Sequence, residues 1–372
     1  PAERLRALGR GAPPAWPGEA DLLARVNNAD LPTIYLPGTQ VVFGLVGRAI
    51  GERRDVESGV DVMRGTLAGL DLLVIGLILV TLRMAARSPW LATLYAWHPL
   101  PLTEIAGSGH QDVIGLALLL IAMIVVTRSP RHLLAWTVPF AAAVAVKPVV
   151  LPLWPFLLRR RAWCRWTISA ALGAATLLVL SAPFFLFDGG AALANLWSSV
   201  SRFSLKWAHF GSVYESALAL TESLLPSWSN DPQERLARGV GLAVLLVVWI
   251  IVWRRRTALF PAARTLLFTM VLCSAAAHPW YLLWALMLIP RTGGLAPWVA
   301  SLTISWGYLA LGDPAGWTMP AGAAWAAWTP VYLAVVVDVL RSRRRAATMG
   351  ADGEVPPGPA IGACVADLRE CP

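Results

Sequence analysis

The chain has 372 residues, of which 57% are hydrophobic and only 14% are charged, with a formal net charge of +9. A soluble domain has about 25% charged residues, so this composition argues against a soluble protein and favours an integral membrane protein. The positive charge lies in short arginine blocks between apolar runs, such as Arg254–Arg256. Such blocks are typical of cytoplasmic loops and not of a nucleic-acid-binding face, so we expect no nucleic-acid partner.

Roughly nine or ten apolar segments follow one another, several near the roughly 20 residues that cross a bilayer as a helix. The clearest are 65–82, 113–127, 166–187, 237–253 and 324–340. Because these runs lack the period-2 alternation of barrel strands, we predict an all-α, polytopic transmembrane helical bundle. Its predicted parts are an extracytoplasmic segment (1–64), a transmembrane domain (65–345) and a disordered cytoplasmic tail (346–372).

In chain order, the first apolar element is 33–50, which contains Tyr35. The arginine blocks place both of its ends on the outer side, which predicts an interfacial or re-entrant helix. Arg53 then lies on the outer side, against the positive-inside bias, and is a candidate for a specific role. The alternative is that 33–50 is an ordinary span and that 65–82 has the opposite orientation.

The next feature is a polar turn on the outer side, between two predicted helices. It contains Glu104, His110, Gln111 and Asp112 beside a Gly-Ser-Gly sequence. An ionisable group at membrane depth costs roughly 2.5–3.5 kcal/mol and is a functional candidate by default. Asp112 could simply cap the helix that begins there. We favour a site, because carboxylate and imidazole together can bind sugar hydroxyls or move protons.

Lys147 lies in the middle of the apolar interval 132–158, which is short for two full spans. Since Pro148 follows it, we predict two short or broken helices that meet at Lys147. A buried ammonium facing a cavity is suited to holding a lipid phosphate. The alternative is that Lys147 extends to the membrane interface and has no ligand.

The last candidates lie in the sequence HPWYLLW, where His278 and Tyr281 are at the outward end of a predicted helix pair. Trp280 and Trp284 in the same stretch are predicted as candidate interface anchors. Together with the earlier candidates, these residues map to the outer half or the middle of the membrane. This shared location favours one site.

Four segments, in this order, resemble those of GT-C type glycosyltransferases, most of all the bacterial polyprenyl-phosphate-mannose-dependent mannosyltransferases. They are VNNADLPTIYLPGTQVVFG, HPLPLTEIAGSGHQD, VKPVVLPLWPFLLRRR and HPWYLLW. The resemblance implies a GT-C-like fold in the bacterial plasma membrane. It also implies transfer of a sugar, mannose by family default, from a polyprenyl-phosphate sugar to an extracytoplasmic glycan or lipid acceptor, with no metal or other cofactor.

Carried over to this chain, the resemblance implies that His110 and Asp112 are catalytic and that Lys147 holds the donor phosphate. Arg53 is a further candidate for the phosphate because of its position on the outer side, not because of a motif match. It further implies substrate-binding roles for Tyr35, Glu104, Gln111, His278 and Tyr281. The family's acidic base follows its first span, and since no counterpart lies upstream of Tyr35, we expect the principal base before Pro1. The competing function is a multi-pass transporter, which would also explain a broken helix and buried charges.

Overall fold

The computed structural model describes residues 7, 11–14, 19–25, 32–51, 56–159, 161–188, 191–313, 318–320 and 322–351. Side chains are described as far as residue 344, apart from those of residues 187 and 188 within this range. All regular elements of these residues are helical, and isolated β-bridges join His209 and Phe210 to Ala276. The all-α class is confirmed for the described part of the chain.

The main helices are α1 (Glu19–Ala24), α2 (Pro37–Ile50), α3 (Val56–Met84), α4 (Asp112–Arg128), α5 (Leu133–Val146), α6 (Trp163–Asp188), α7 (Ala191–Lys206), α8 (Val213–Leu224), α9 (Asn230–Arg254), α10 (Leu259–Cys273), α11 (Leu295–Thr303) and α12 (Ala323–Ala351). Short helical turns lie between them at Pro89–Ala92, Thr93–Ala96, Pro99–Pro101, Leu102–Gly107, Pro148–Leu153, Trp154–Leu157, Pro279–Leu282, Leu283–Leu286, Ile289–Thr292 and Ile304–Gly312.

Four described helices are long and apolar enough to cross a membrane, and a bent pair of helices raises the number to five. They are Val56–Met84, Trp163–Leu186, Asn230–Arg254 and Ala323–Arg344, with Pro99–Gly107 and Asp112–Arg128 as the bent pair. The multi-pass helical class is therefore supported, with fewer uninterrupted spans than the nine or ten apolar segments suggested. The other apolar segments form short helices, and many of these begin at a proline, which cannot continue a preceding helix.

The outer surface of α6 requires an apolar solvent. Leu178 and Val179 are 66% and 72% exposed in mid-helix, and few side chains of this helix are buried. Apolar patches of this size are rare on soluble monomers. A lipid environment accounts for them, since exposed apolar side chains are stable in contact with lipid. A helix can lie there because it satisfies its own backbone hydrogen bonds.

The centre of the bundle is α4, which is buried on all sides against α3, α5 and the turn Leu283–Leu286. Asp112, at its first residue, consequently lies inside the protein. The predicted break next to α4 is confirmed: α5 ends at Val146, and Lys147 is extended (φ −154°, ψ 121°) before the turn that starts at Pro148. Pro148 disfavours a helical conformation at Lys147, which directs the chain away from the axis of α5.

The helical segment Pro99–Gly107 and helix α4, on either side of the polar turn, meet at an angle of 119°. Leu102–Gly107 is a π-helical turn that ends with the His110 amide donating to the Glu104 carbonyl at 2.8 Å. Gly109 has φ +73°, a conformation that glycine adopts without strain. The resulting bend brings Glu104 and His110 next to the start of α4.

The predicted segment boundaries differ from the helices in detail. The helix expected at 65–82 spans Val56–Met84, so it begins inside the predicted extracytoplasmic segment. The interfacial element contains α2, whose 14 residues are too short to cross a bilayer. In the tail, α12 reaches Ala351. Residues 352–372 and Arg53 lie outside the described residues, so the predictions for them remain predictions.

Candidate functional site

A buried ion pair lies at the start of α4. The Lys147 Nζ atom is 2.7 Å from Asp112 Oδ1, and the Trp284 indole Nε1 donates to the same oxygen at 2.6 Å. The Asp112 side chain is 1% exposed and that of Lys147 is 17% exposed. Neither Asp112 oxygen accepts from a backbone amide of the described residues, so hydrogen-bond capping of α4 does not account for Asp112.

Close packing holds this pair in place. A Cβ atom at Gly115 would lie only 2.4 Å from the ring of Trp284, so this position in α4 leaves room for the indole. The break after α5 directs Lys147 towards the same place, and its ammonium lies 3.8 Å from the centre of the Tyr281 ring. A cation over an aromatic face is attracted by the ring quadrupole. The ammonium therefore has two favourable neighbours.

Stacked rings extend from Tyr281 along one side of the pair. Trp280 lies between His110, with ring centres 3.8 Å apart, and His278, with ring centres 4.4 Å apart. His278 in turn stacks on His209 at 5.4 Å. These contacts hold the rings in fixed relative positions.

A second buried carboxylate lies beside His110. Glu104 is 1% exposed, and its Oε2 is 3.3 Å from His110 Nε2. The Tyr308 hydroxyl lies 2.9 and 2.8 Å from the two Glu104 oxygens. Tyr308 therefore fixes the carboxylate, and the carboxylate faces the imidazole.

Buried acceptor oxygens without donors are the most informative feature of the site. Asp112 Oδ2 and Gln111 Oε1 are buried and have no hydrogen-bond partner within the described part of the chain. A buried polar group left unpaired costs about 1–3 kcal/mol. Two such oxygens on adjacent residues are suited to a ligand that brings hydroxyl or N–H donors.

An apolar cavity of about 550 Å³ opens on the other side of Lys147. Lys147, Tyr281 and Trp284 line it together with Arg238, and most of the remaining wall is apolar. Arg238 Nη1 donates to the Ser204 carbonyl at 3.2 Å. Its Nε and Nη2 atoms are buried without a hydrogen bond, and Nη2 forms an ion pair with Glu234 at 3.8 Å. The guanidinium therefore keeps unused hydrogen-bonding capacity at the wall of the cavity.

Burial affects the titration of the groups around the site. The pKa of His278 is lowered to about 3, chiefly by burial and further by the nearby His209, Lys147 and His110. Burial also raises the pKa of Tyr35, and the charge of Asp112 adds to this effect. Both side chains are therefore neutral near pH 7.

The structure brings most of the sequence-predicted residues together. Those in or beside the buried cluster are Glu104, His110, Gln111, Asp112, Lys147, His278 and Tyr281. Tyr35 precedes α2 and packs edge-on against Phe43 at 5.6 Å. A Cβ atom at Gly38 would lie 2.8 Å from the Ala145 backbone, so α2 approaches α5 closely. Arg53 lies outside the described residues.

Sequence reasoning missed several residues at the site. Trp284 was expected as an interface anchor, but it is 2% exposed and donates to Asp112. Tyr308 carries no charge and lies in an apolar run, so nothing in its local sequence marks it. Arg238 did carry a signal, because an arginine at the outer end of a predicted span opposes the positive-inside bias.

Comparison of the chain with protein families, curated proteins and solved structures finds no match. Among the described residues, no group of three or more His, Cys, Asp and Glu side chains could hold a metal ion.

Proposed function

We propose that this protein is a membrane glycosyltransferase that moves a sugar, mannose by family default, from a polyprenyl-phosphate donor to an extracytoplasmic glycan or lipid acceptor. The localisation that goes with this proposal is the bacterial plasma membrane, with the site facing the extracytoplasmic side. Both rest on the resemblance described above and on the chemistry of the buried cluster.

Two observations carry the proposal: the unsatisfied acceptors Asp112 Oδ2 and Gln111 Oε1, and a cavity with cationic and apolar walls. Lys147, which lines that cavity, is bonded to Asp112. Sugar hydroxyls would supply the missing donors. The Lys147 ammonium and the Arg238 guanidinium, both at the cavity wall, are suited to a phosphate. The apolar walls are suited to a polyprenyl chain. One lipid-phosphate sugar has all three complements.

The proposed reaction needs little beyond positioning and charge. The phosphate of the donor is a good leaving group, and cations stabilise the negative charge that develops on it. A base then has to accept the proton of the attacking hydroxyl. In the family that the sequence resembles, this transfer usually inverts the anomeric centre, and we expect the same here.

The test uses membranes that contain the whole protein and a radiolabelled polyprenyl-phosphate mannose. The wild type should transfer label to a product other than the donor, and Asp112→Asn should lose at least about 10²-fold in rate, since a charged group contacting the sugar is removed. Asp71→Asn is the matched control. Asp71 is also a partly buried carboxylate, but it accepts a hydrogen bond from Tyr95 at 2.7 Å and forms no hydrogen bond or ion pair with the described residues of the cluster.

Folding of each variant is checked by thermal unfolding in detergent. Loss of transfer in a folded Asp112→Asn protein, with Asp71→Asn unaffected, would support the proposal. If folded wild-type protein transferred label from neither mannose nor glucose donors, the proposal would be wrong. The 119° helix bend and the broken helix at Lys147 would then favour the transporter, since discontinuous helices form substrate sites in that class.

A further inference from the structure

We propose that His110 is the general base of the transfer reaction and that Glu104 and Tyr308 position it; this inference rests on the proposed function. It places the base within this chain, whereas the family resemblance predicts a base before Pro1. The geometry of three side chains from different segments carries the inference.

The carboxylate of Glu104 defines the orientation of the His110 imidazole. His110 Nε2 faces Glu104 Oε2 at 3.3 Å, and a carboxylate accepts a hydrogen bond. We therefore assign the proton to Nε2, which leaves the lone pair of the neutral ring on Nδ1. In Ser-His-Asp hydrolases a carboxylate also sets the tautomer of the histidine base, but there it binds Nδ1 and the base is Nε2.

Neighbouring side chains restrict the movement of both Glu104 and His110. Tyr308 contacts both oxygens of Glu104, at 2.9 and 2.8 Å, and so restricts rotation of the carboxylate. Trp280 stacks on the imidazole with an interplanar angle of 21°. Both in-plane position and ring tilt of His110 are therefore set before any substrate binds.

The imidazole of His110 is partly accessible from outside the protein. The His110 side chain is 22% exposed, and Nδ1 has no hydrogen-bond partner in the part of the chain that the structure describes. Trp280, which carries the imidazole, is followed by Tyr281, whose ring lies under the Lys147 ammonium. The centres of the Trp280 and Tyr281 rings are 5.8 Å apart, so a chain of ring contacts joins the imidazole to the Lys147 ammonium.

Asp112 is less suited to accept the proton. Its Oδ1 already accepts from Lys147 and from Trp284. Protonating the carboxylate would leave the Lys147 ammonium without its counter-ion in a buried position, which is costly. Groups that face His110 are Glu104, Asp112, Lys147 and His278.

In the proposed step, the acceptor hydroxyl gives its proton to His110 Nδ1 while its oxygen forms a bond to the anomeric carbon of the sugar. The bond between that carbon and the phosphate oxygen breaks, and its electron pair leaves with the polyprenyl phosphate. His110 then carries one added proton, which it returns to water. No oxidant, reductant or further reactant is required.

The experiment measures label transfer and donor KM for His110→Ala, Glu104→Gln and Tyr308→Phe in membranes carrying the full protein. A general base contributes about 10²–10⁴-fold, so His110→Ala should lose that factor in kcat with donor KM within about threefold. Added imidazole should restore part of the rate. Glu104→Gln should lose about tenfold to a hundredfold and Tyr308→Phe less, and neither should respond to imidazole.

His132→Ala is the control, because His132 is an exposed histidine that precedes α5. It should keep the wild-type rate and show no response to imidazole. Loss of kcat in His110→Ala with recovery in imidazole would support the base role. Transfer by wild type together with an unchanged kcat in a folded His110→Ala variant would overturn this inference alone. Absence of transfer by wild type would overturn the proposed function as well.

Discussion

Two polar regions of the bundle differ in how completely their hydrogen-bonding groups are satisfied. The polar cluster consists of Glu104, His110, Gln111, Asp112 and Lys147. The arginine cluster consists of Arg87, Arg264, Arg291 and Asp338, near the ends of α3, α10 and α12 that are predicted to face the cytoplasm. Both contain buried or half-buried charges in an apolar bundle, yet they serve different purposes.

The arginine cluster satisfies the backbone at helix ends. Arg87 donates to the Arg291 carbonyl, and Arg291 donates to the Thr81 carbonyl at 2.9 Å. Arg264 donates to the carbonyls of Thr292 and Gly293. Within the described residues, these side chains have no buried polar atom without a partner. These arginines have a structural role, since the carbonyls at helix ends otherwise lack donors.

The polar cluster pairs its charges and still leaves acceptors over. Asp112 Oδ2 and Gln111 Oε1 remain without donors. A charge at membrane depth is thus a weak sign of a site by itself, because the arginine cluster has charges too. Unused hydrogen-bonding capacity in a buried position is the stronger sign.

The largest effect is expected from breaking the ion pair. Lys147→Met should lower the free energy of unfolding by about 3–5 kcal/mol, because it leaves the Asp112 carboxylate buried without a counter-ion. Thermal unfolding in detergent, followed by tryptophan fluorescence, measures the loss. Adding Asp112→Asn to this variant should restore most of the stability but none of the transfer activity. If the single variant were as stable as wild type, the two groups would not form a buried pair.

A methyl group at Gly115 should disturb the cluster through Trp284. Gly115→Ala would place Cβ 2.4 Å from the indole, and overpacking of this kind costs about 1–3 kcal/mol. Gly76→Ala in α3 is the control, since no atom lies within 4 Å of its added Cβ. It should unfold at the wild-type temperature or above. Equal stability of both variants would contradict the close contact between α4 and Trp284.

A capping carboxylate in the arginine cluster should affect stability and leave activity unchanged. Asp338 Oδ2 accepts from the amides of Leu295 and Ala296 at 2.8 and 3.0 Å, at the start of α11. Asp338→Ala should cost about 1–2 kcal/mol, as the loss of a helix cap does. The folded protein should transfer label at the wild-type rate. A large loss of kcat in the folded variant would remove the functional distinction between the two clusters.

The smallest effect is expected at the indole that shares Asp112 with Lys147. Trp284→Phe removes one donor to Asp112 Oδ1 but keeps an aromatic ring at this position. The hydrogen bond from Lys147 to the same oxygen is kept. We expect a loss of about 1 kcal/mol. Trp249→Phe removes a comparable bond, at 3.0 Å to the Pro152 carbonyl, and is the matched comparison. Transfer should fall in Trp284→Phe and stay constant in Trp249→Phe.

The sequence by itself determined the helical membrane class, the break at Lys147 and most of the candidate residues. These features depend on local chemistry: apolar runs favour helices in lipid, proline ends a helix, and a charge in an apolar run stands out. The position of the arginine blocks was equally easy to read. None of these inferences required knowledge of which segments touch.

Only the tertiary structure decided which of these residues meet. The pairing of Asp112 with Lys147 and of Glu104 with Tyr308 joins positions that are 35 and 204 residues apart, and no local pattern encodes such a distance. Tyr308 is neutral, so its role could not be read from charge. The physical reason is that unsatisfied hydrogen-bonding capacity belongs to a packed arrangement, since every polar group in the unfolded chain is paired with water.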